Sequence, residues 1–166
     1  MKLFHGSANS AAPTVKVGPF ALGFISVNIF DGIFGSPSYD AAGSHGCNGY
    51  VHSYEIADDK IAESRDLNEH YEEVCAFLKE ELEVDDVEEI ADRVVWDNDS
   101  DVEDFSNIMS PRFDTEGDDS LVFAALCWEL QRLRGRVAAH LGFDAVEMND
   151  EHGTSYLIVN PKIIAE

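Results

Sequence analysis

The sequence predicts an α+β fold, and three stretches carry that prediction. Residues 120–141 place Val122, Leu126, Leu130, Leu133, Val137 and Leu141 on one face at helical spacing. Residues 50–56 alternate, with Tyr50, His52, Tyr54 and Ile56 on one side and Val51, Ser53 and Glu55 on the other, which is the period of a strand. Residues 143–159 hold two apolar segments, 143–148 and 156–159, joined by a short polar turn containing Gly153, the pattern of a β-hairpin. With 166 residues, 45% of them apolar, the chain is the size of one unit with its own core, so residues 1–166 are expected to form a single domain.

In chain order, residues 2–5 read as a short strand entering a turn at Gly6-Ser7. Residues 20–29 are apolar and partly β-branched around Gly23, as in a buried strand. Residues 31–49 turn to Gly, Ser, Pro and Asn and predict a long loop, with at most one helical turn and Tyr39 in its middle. Asp66-Leu-Asn-Glu69 resembles a capping box and opens a helix with the stripe Leu67, Tyr71, Val74, Leu78 and Leu82. A second helix buries Val87, Ile90, Ala91 and Val94. Residues 97–119 are acidic and aperiodic and carry Pro111 and Gly117, so an exposed connection is expected, with a helical turn around 102–108. The long helix follows, with Gly142 after its end. Arg132, Arg134 and Arg136 sit in its second half, where cations oppose the negative end of the helix dipole.

Composition excludes several classes. No apolar run is long enough to cross a bilayer, since residues 17–27 are broken by Gly18, Pro19 and Gly23, and the N-terminus lacks the apolar core of a signal peptide. A cytoplasmic protein is expected. Cys47, Cys75 and Cys127 are odd in number and far apart, and no histidine pair has ligand spacing, so neither a disulfide framework nor a metal site is expected. The formal charge of −22 repels nucleic acid and anionic membrane and attracts basic surfaces. A solubilising surface, adaptation to a salty cell, and mimicry of DNA before a nucleic-acid-binding partner all fit that charge.

Asp150, Glu151 and His152 stand side by side in the hairpin turn. Carboxylates at the lip of a sheet, beside a glycine that admits a ligand to the backbone, suit acid-assisted chemistry on a polar substrate. In so acidic a chain a solvated turn explains them as well on composition alone.

The two ends of the chain carry a resemblance. Leu3-Phe4-His5-Gly6-Ser7 resembles the entry strand of ADP-ribosyltransferases of the diphtheria-toxin and poly-ADP-ribose polymerase type. Leu141-Gly-Phe-Asp-Ala-Val146, followed by Asp150-Glu-His-Gly-Thr-Ser-Tyr-Leu-Ile158, resembles the closing hairpin of phage and bacterial members. With Leu126-Cys-Trp-Glu-Leu-Gln131 added, the last third is similar to phage-associated anti-CRISPR ADP-ribosyltransferases directed at the type I-F surveillance complex. Residues 31–119 carry little of the likeness.

That resemblance implies split, strongly bent antiparallel sheets around an NAD cleft, with helices packed outside. It implies that His5 meets a ribose hydroxyl of NAD and that the backbone at Gly6, next to Ser7, holds the nicotinamide carboxamide. An imidazole can donate or accept at neutral pH, and glycine clears the approach. The family's stacking aromatic has no tyrosine in Gly23-Phe-Ile-Ser-Val27, where Phe24 reads as core. Tyr39 is therefore the candidate, with Ser26 as a further polar contact. The family's acid, which supports positive charge on the ribose as nicotinamide leaves, falls on Asp150, with Glu151 in reserve. The implied activity is NAD-dependent mono-ADP-ribosylation of a protein acceptor, a CRISPR-Cas surveillance-complex subunit, in the cytoplasm of a bacterial host. An acidic DNA mimic that blocks a basic groove without chemistry is the alternative of a different class. NAD glycohydrolysis and RNA 2′-phosphate transfer keep the fold, and the scarcity of basic residues weighs against the RNA substrate.

Overall fold

Pairing between strands far apart in the chain organises the molecule. The computed structural model describes residues 1–15, 32–46, 49–109, 119–150 and 153–166. β1 (Lys2–Ser7) pairs antiparallel with β3 (Tyr50–Glu55), and His5 lies opposite His52. β2 (Ile33–Gly35) pairs antiparallel with β6 (Gly153–Ile158), which forms the hairpin with β5 (Ala145–Asp150), and β4 (Ile61–Ala62) closes that sheet in the order β2-β6-β5-β4. The two sheets meet where Phe4 and Ser36 exchange backbone hydrogen bonds of 2.8 Å in both directions. The α+β class and the split sheet agree with expectation. Three of the described pairings are antiparallel as expected, and the short β4 is the exception, running parallel to β5 through Ile61–Ala145 and Ala62–Val146.

Five α-helices are described. α1 (Tyr39–His45) and β2 occupy the segment expected to be a loop. Ser38 caps α1 by accepting from the Ala41 amide, while β2 has three residues and owes its form to its partner β6. The capping box lies three residues earlier than the sequence suggested. Glu63 is the cap and Asp66 accepts from its amide, so α2 (Ser64–Glu69) ends at His70, and α3 (Tyr71–Leu82) starts afresh there. α4 (Glu88–Trp96) buries Ile90, Ala91, Val94 and Val95. α5 (Asp119–His140) matches the long stripe. Its end is a Schellman cap, in which Gly142 at φ 86° lets its own amide reach Ala139 and the Phe143 amide reach Ala138.

The acidic connection corrects in part. Val102, Phe105 and Met109 are buried around a 3-10 turn at Val102–Phe105, so this portion is pinned to the core rather than simply exposed. Residues 110–118 lie outside the described set, as do the expected strand at 20–29, Cys47, Glu151 and His152.

Two cores flank the four-stranded sheet. On one face Leu126, Leu130, Leu133 and Val137 of α5 pack with α2, α3 and α4 against Val146, Met148 and Leu157. On the other, Ile33, Ala145, Tyr156 and Ile158 meet Leu3 and Tyr54 of the β1–β3 ribbon. Alternation along β5 and β6 sends neighbouring residues to opposite cores.

The arginines of α5 do more than oppose a dipole. Arg132 and Arg134 are buried; Arg132 donates to Glu129 on its own helix and lies within ion-pair reach of Glu81, which Arg136 also meets. Arg134 donates to the carbonyls of Val94 and Val95 at 2.7 Å, so it caps α4 and not its own helix. Among the described residues no helix is long and apolar enough to cross a membrane.

Candidate active site

A cavity of about 360 Å³ opens where the two sheets part. β1 gives it Phe4, His5 and Gly6, β2 and its bridge give Phe34, Gly35 and Ser36, α1 gives Ala41, Ala42 and His45, and β6 gives Thr154 and Ser155.

Gly6 is what lets α1 sit against β1. A Cβ on Gly6 would stand 1.8 Å from the Ala42 carbonyl oxygen, and one on Gly46, which caps α1, would stand 2.6 Å from the Ser7 amide nitrogen. Backbone therefore packs on backbone across the back of the cavity, and this accounts for a glycine at position 6 before any ligand is considered.

His5 is half-buried, and its Nδ1 lies 2.7 Å from the Phe34 carbonyl oxygen. A carbonyl only accepts, so Nδ1 carries the proton, and in the neutral ring Nε2 is left as an acceptor. Burial pushes the His5 pKa below its usual 6.5; the Phe34 carbonyl partly opposes that and the nearby His52 adds to it. The ring is therefore neutral at pH 7.

Ser155 is 93% shielded from solvent, and its Oγ has no hydrogen-bond partner among the described residues. Continuing the β2–β6 register by one pair places it across from Ser36. A buried hydroxyl without a partner costs about 1–3 kcal/mol, so an orphan beside a cavity marks a place where a ligand group completes the bonding.

The other expected residues are distributed as follows. Ser7 accepts from the Asn9 amide at 3.1 Å and does not line the cavity. Tyr39 is 59% exposed at the start of α1 and packs edge-on against Phe4 at 5.5 Å, which puts it on the rim. Asp150 ends β5 opposite Gly153, whose φ of 113° turns the hairpin, and Thr154 and Ser155 follow directly. Ser26 and Glu151 lie outside the described residues. Sequence reasoning thus brought His5 and Gly6 to the cavity. It missed Ser36 and His45, which reach it just after β2 and on α1, and took Thr154 and Ser155 only as part of the polar turn within a quoted motif.

The arrangement offers a neutral imidazole acceptor, an orphaned hydroxyl and a glycine-lined backbone in a mostly apolar cleft. That donor and acceptor set suits a neutral polar group such as a ribose or a carboxamide. A family model described as Anti-CRISPR Type I-F ADP-ribosyltransferase AcrIF11 matches residues 1–166. A solved structure described as "Crystal structure of an anti-CRISPR protein" aligns over 100% of this chain and 93% of its own, with a TM-score of 0.60 and 25% identity. No curated protein matches the chain.

Proposed function

The chain belongs to the anti-CRISPR type I-F ADP-ribosyltransferase family, and from that premise we propose that residues 1–166 act as one catalytic domain that transfers ADP-ribose from NAD to a protein side chain on a CRISPR-Cas surveillance-complex subunit. The single observation that carries this reading is the cleft at the split of the sheets, where His5 Nε2 and the orphaned Ser155 Oγ flank glycine-lined backbone. Its volume of about 360 Å³ lies at the low end of the ~300–1,000 Å³ typical of ligand pockets. It takes the nicotinamide-ribose half of NAD, with the adenosine half outside.

NAD supplies the ADP-ribosyl group and nicotinamide as its leaving group. The chain's residues bind and orient it. His5 Nε2 accepts from a ribose hydroxyl, held in that tautomer by the Phe34 carbonyl. Backbone at Gly6 and the Ser155 hydroxyl meet polar atoms of the nicotinamide riboside. Tyr39, beside Phe4 on the rim, covers the apolar ring. Asp150, which ends β5, supports the positive charge that develops on the ribose as the bond to nicotinamide breaks, which is work for a preorganised carboxylate. Ser26 is a further polar contact, and Glu151 is the reserve for Asp150.

The strong negative charge favours a basic acceptor surface through long-range attraction. Charge alone also fits a DNA mimic, and NAD separates the two: a mimic inhibits without NAD and loses its effect in salt. The test is incubation with labelled NAD and a bacterial lysate, with Asp150→Ala alongside. A labelled protein band that Asp150→Ala fails to produce supports transfer. Free ADP-ribose without a band indicates hydrolysis, and full labelling by Asp150→Ala removes Asp150 from the site.

A further inference from the structure

Among the described residues, the outer half of β5 has a strand neighbour on one side only. β6 pairs with the whole of β5, but β4 reaches only Ala145 and Val146. Beyond that point two side chains take the place of a strand. Arg134 Nε donates to the Glu147 carbonyl at 2.9 Å, and the Asp97 carboxylate accepts a short hydrogen bond from the Asn149 amide. One donor and one acceptor two residues apart on the same edge are what a neighbouring strand's backbone would offer.

Both residues are placed by α4. Arg134, 1% exposed, also donates to the Val94 and Val95 carbonyls and to Ser64 Oγ at 3.1 Å, which ties the start of α2 and the end of α4 to this edge. Asp97 follows α4 in the left-handed region at φ 50°, a conformation that Asp, Asn and Gly tolerate best. Burial raises its pKa, while the Asn149 amide and the Arg134 charge oppose that rise. Asn149 directly precedes Asp150.

We propose that Asp97, backed by Arg134, is a positioning residue that holds the outer half of β5 as a neighbouring strand would and so fixes the end of β5 that carries Asp150. This rests on Asp150 being the acid of the proposed transfer. It touches neither NAD nor the acceptor and acts only through the backbone of β5. A carboxylate displaced by about 1 Å loses up to ~100-fold in rate, so an unpinned tip is felt in turnover before it is felt in substrate binding.

Two variants isolate the device. Asp97→Gly removes the acceptor and suits the left-handed cap, whereas Asp97→Asn keeps both an acceptor oxygen and the cap. The readouts are ADP-ribose incorporation from labelled NAD into lysate protein as a function of NAD concentration, and hydrogen exchange of the Asn149 amide. Asp97→Gly is expected to lower the maximal rate ~tenfold with little change in the apparent KM for NAD, and to expose the Asn149 amide to exchange, while Asp97→Asn restores both. Wild-type turnover by Asp97→Gly beside an inactive Asp150→Ala overturns the clamp alone. So does equal loss in both Asp97 variants, or an Asn149 amide that stays protected in Asp97→Gly. Full transfer by Asp150→Ala overturns the reading of Asp150, and the clamp's catalytic purpose with it.

Discussion

The open edge of β5 and the split between the two sheets both bury polar groups, and they satisfy them in opposite ways. At the β5 edge the Glu147 carbonyl and the Asn149 amide meet charged side chains, and Arg134 also occupies two carbonyls at the end of α4. At the split, among the described residues, Ser155 Oγ has no partner and His5 is held through Nδ1. The difference teaches where the molecule is scaffold and where it is receptive: charge is used inside the fold to complete backbone, and neutral groups are left in the cleft for a ligand.

Replacing the charge at the first place gives the largest effect on stability. Arg134→Met keeps apolar bulk but strips partners from two buried carbonyls and one part-buried one, and should cost about 3 kcal/mol by the usual penalty for unsatisfied groups. Thermal unfolding should then fall by about 10 °C for a chain of this size. An unchanged unfolding temperature would remove the scaffold half of the comparison.

His5→Ala acts at the other place. It should weaken NAD binding about tenfold, the worth of one good hydrogen bond, when measured by calorimetry. The same residue sets a pH dependence. Because its folded pKa lies below 6.5, the neutral ring is present above 6.5, and its contribution to NAD affinity and to stability is lost as pH falls through the lower folded value. Affinity should be flat from pH 7 to 8 and fall below 6.5. A rise on acidification would mean that the protonated ring binds.

Ser155→Ala has the smallest expected effect and the clearest sign. Removing an orphaned buried hydroxyl should leave stability unchanged or slightly raised, while NAD affinity drops several-fold, since a hydrogen bond made only with ligand is worth about 1 kcal/mol. Loss of stability with intact affinity would show that the hydroxyl serves the fold.

Legibility in the sequence follows how local the cause is. The stripe of α5 and the hairpin were readable because their periods repeat within one segment. β2 and β4, with three and two residues, exist through partners far along the chain, and no local pattern announces them. Glu63 is an uncommon cap, so the box appeared to start at Asp66. The role of Arg134 is set by carbonyls about forty residues away, and helix position alone suggested a dipole partner. In the site, His5 and Gly6 were legible through a motif, whereas Ser36 and His45 arrive on elements folded out of a Gly- and Ser-rich stretch that resembled loop.

The most direct test of the receptive split is a titration of isotope-labelled protein with NAD, followed by the backbone amide signals. The account predicts shifts concentrated at His5, Gly6, Phe34, Gly35, Ser36, Thr154 and Ser155, with α4 (Glu88–Trp96) unmoved. Shifts centred on α4, or no shifts at saturating NAD, would contradict it.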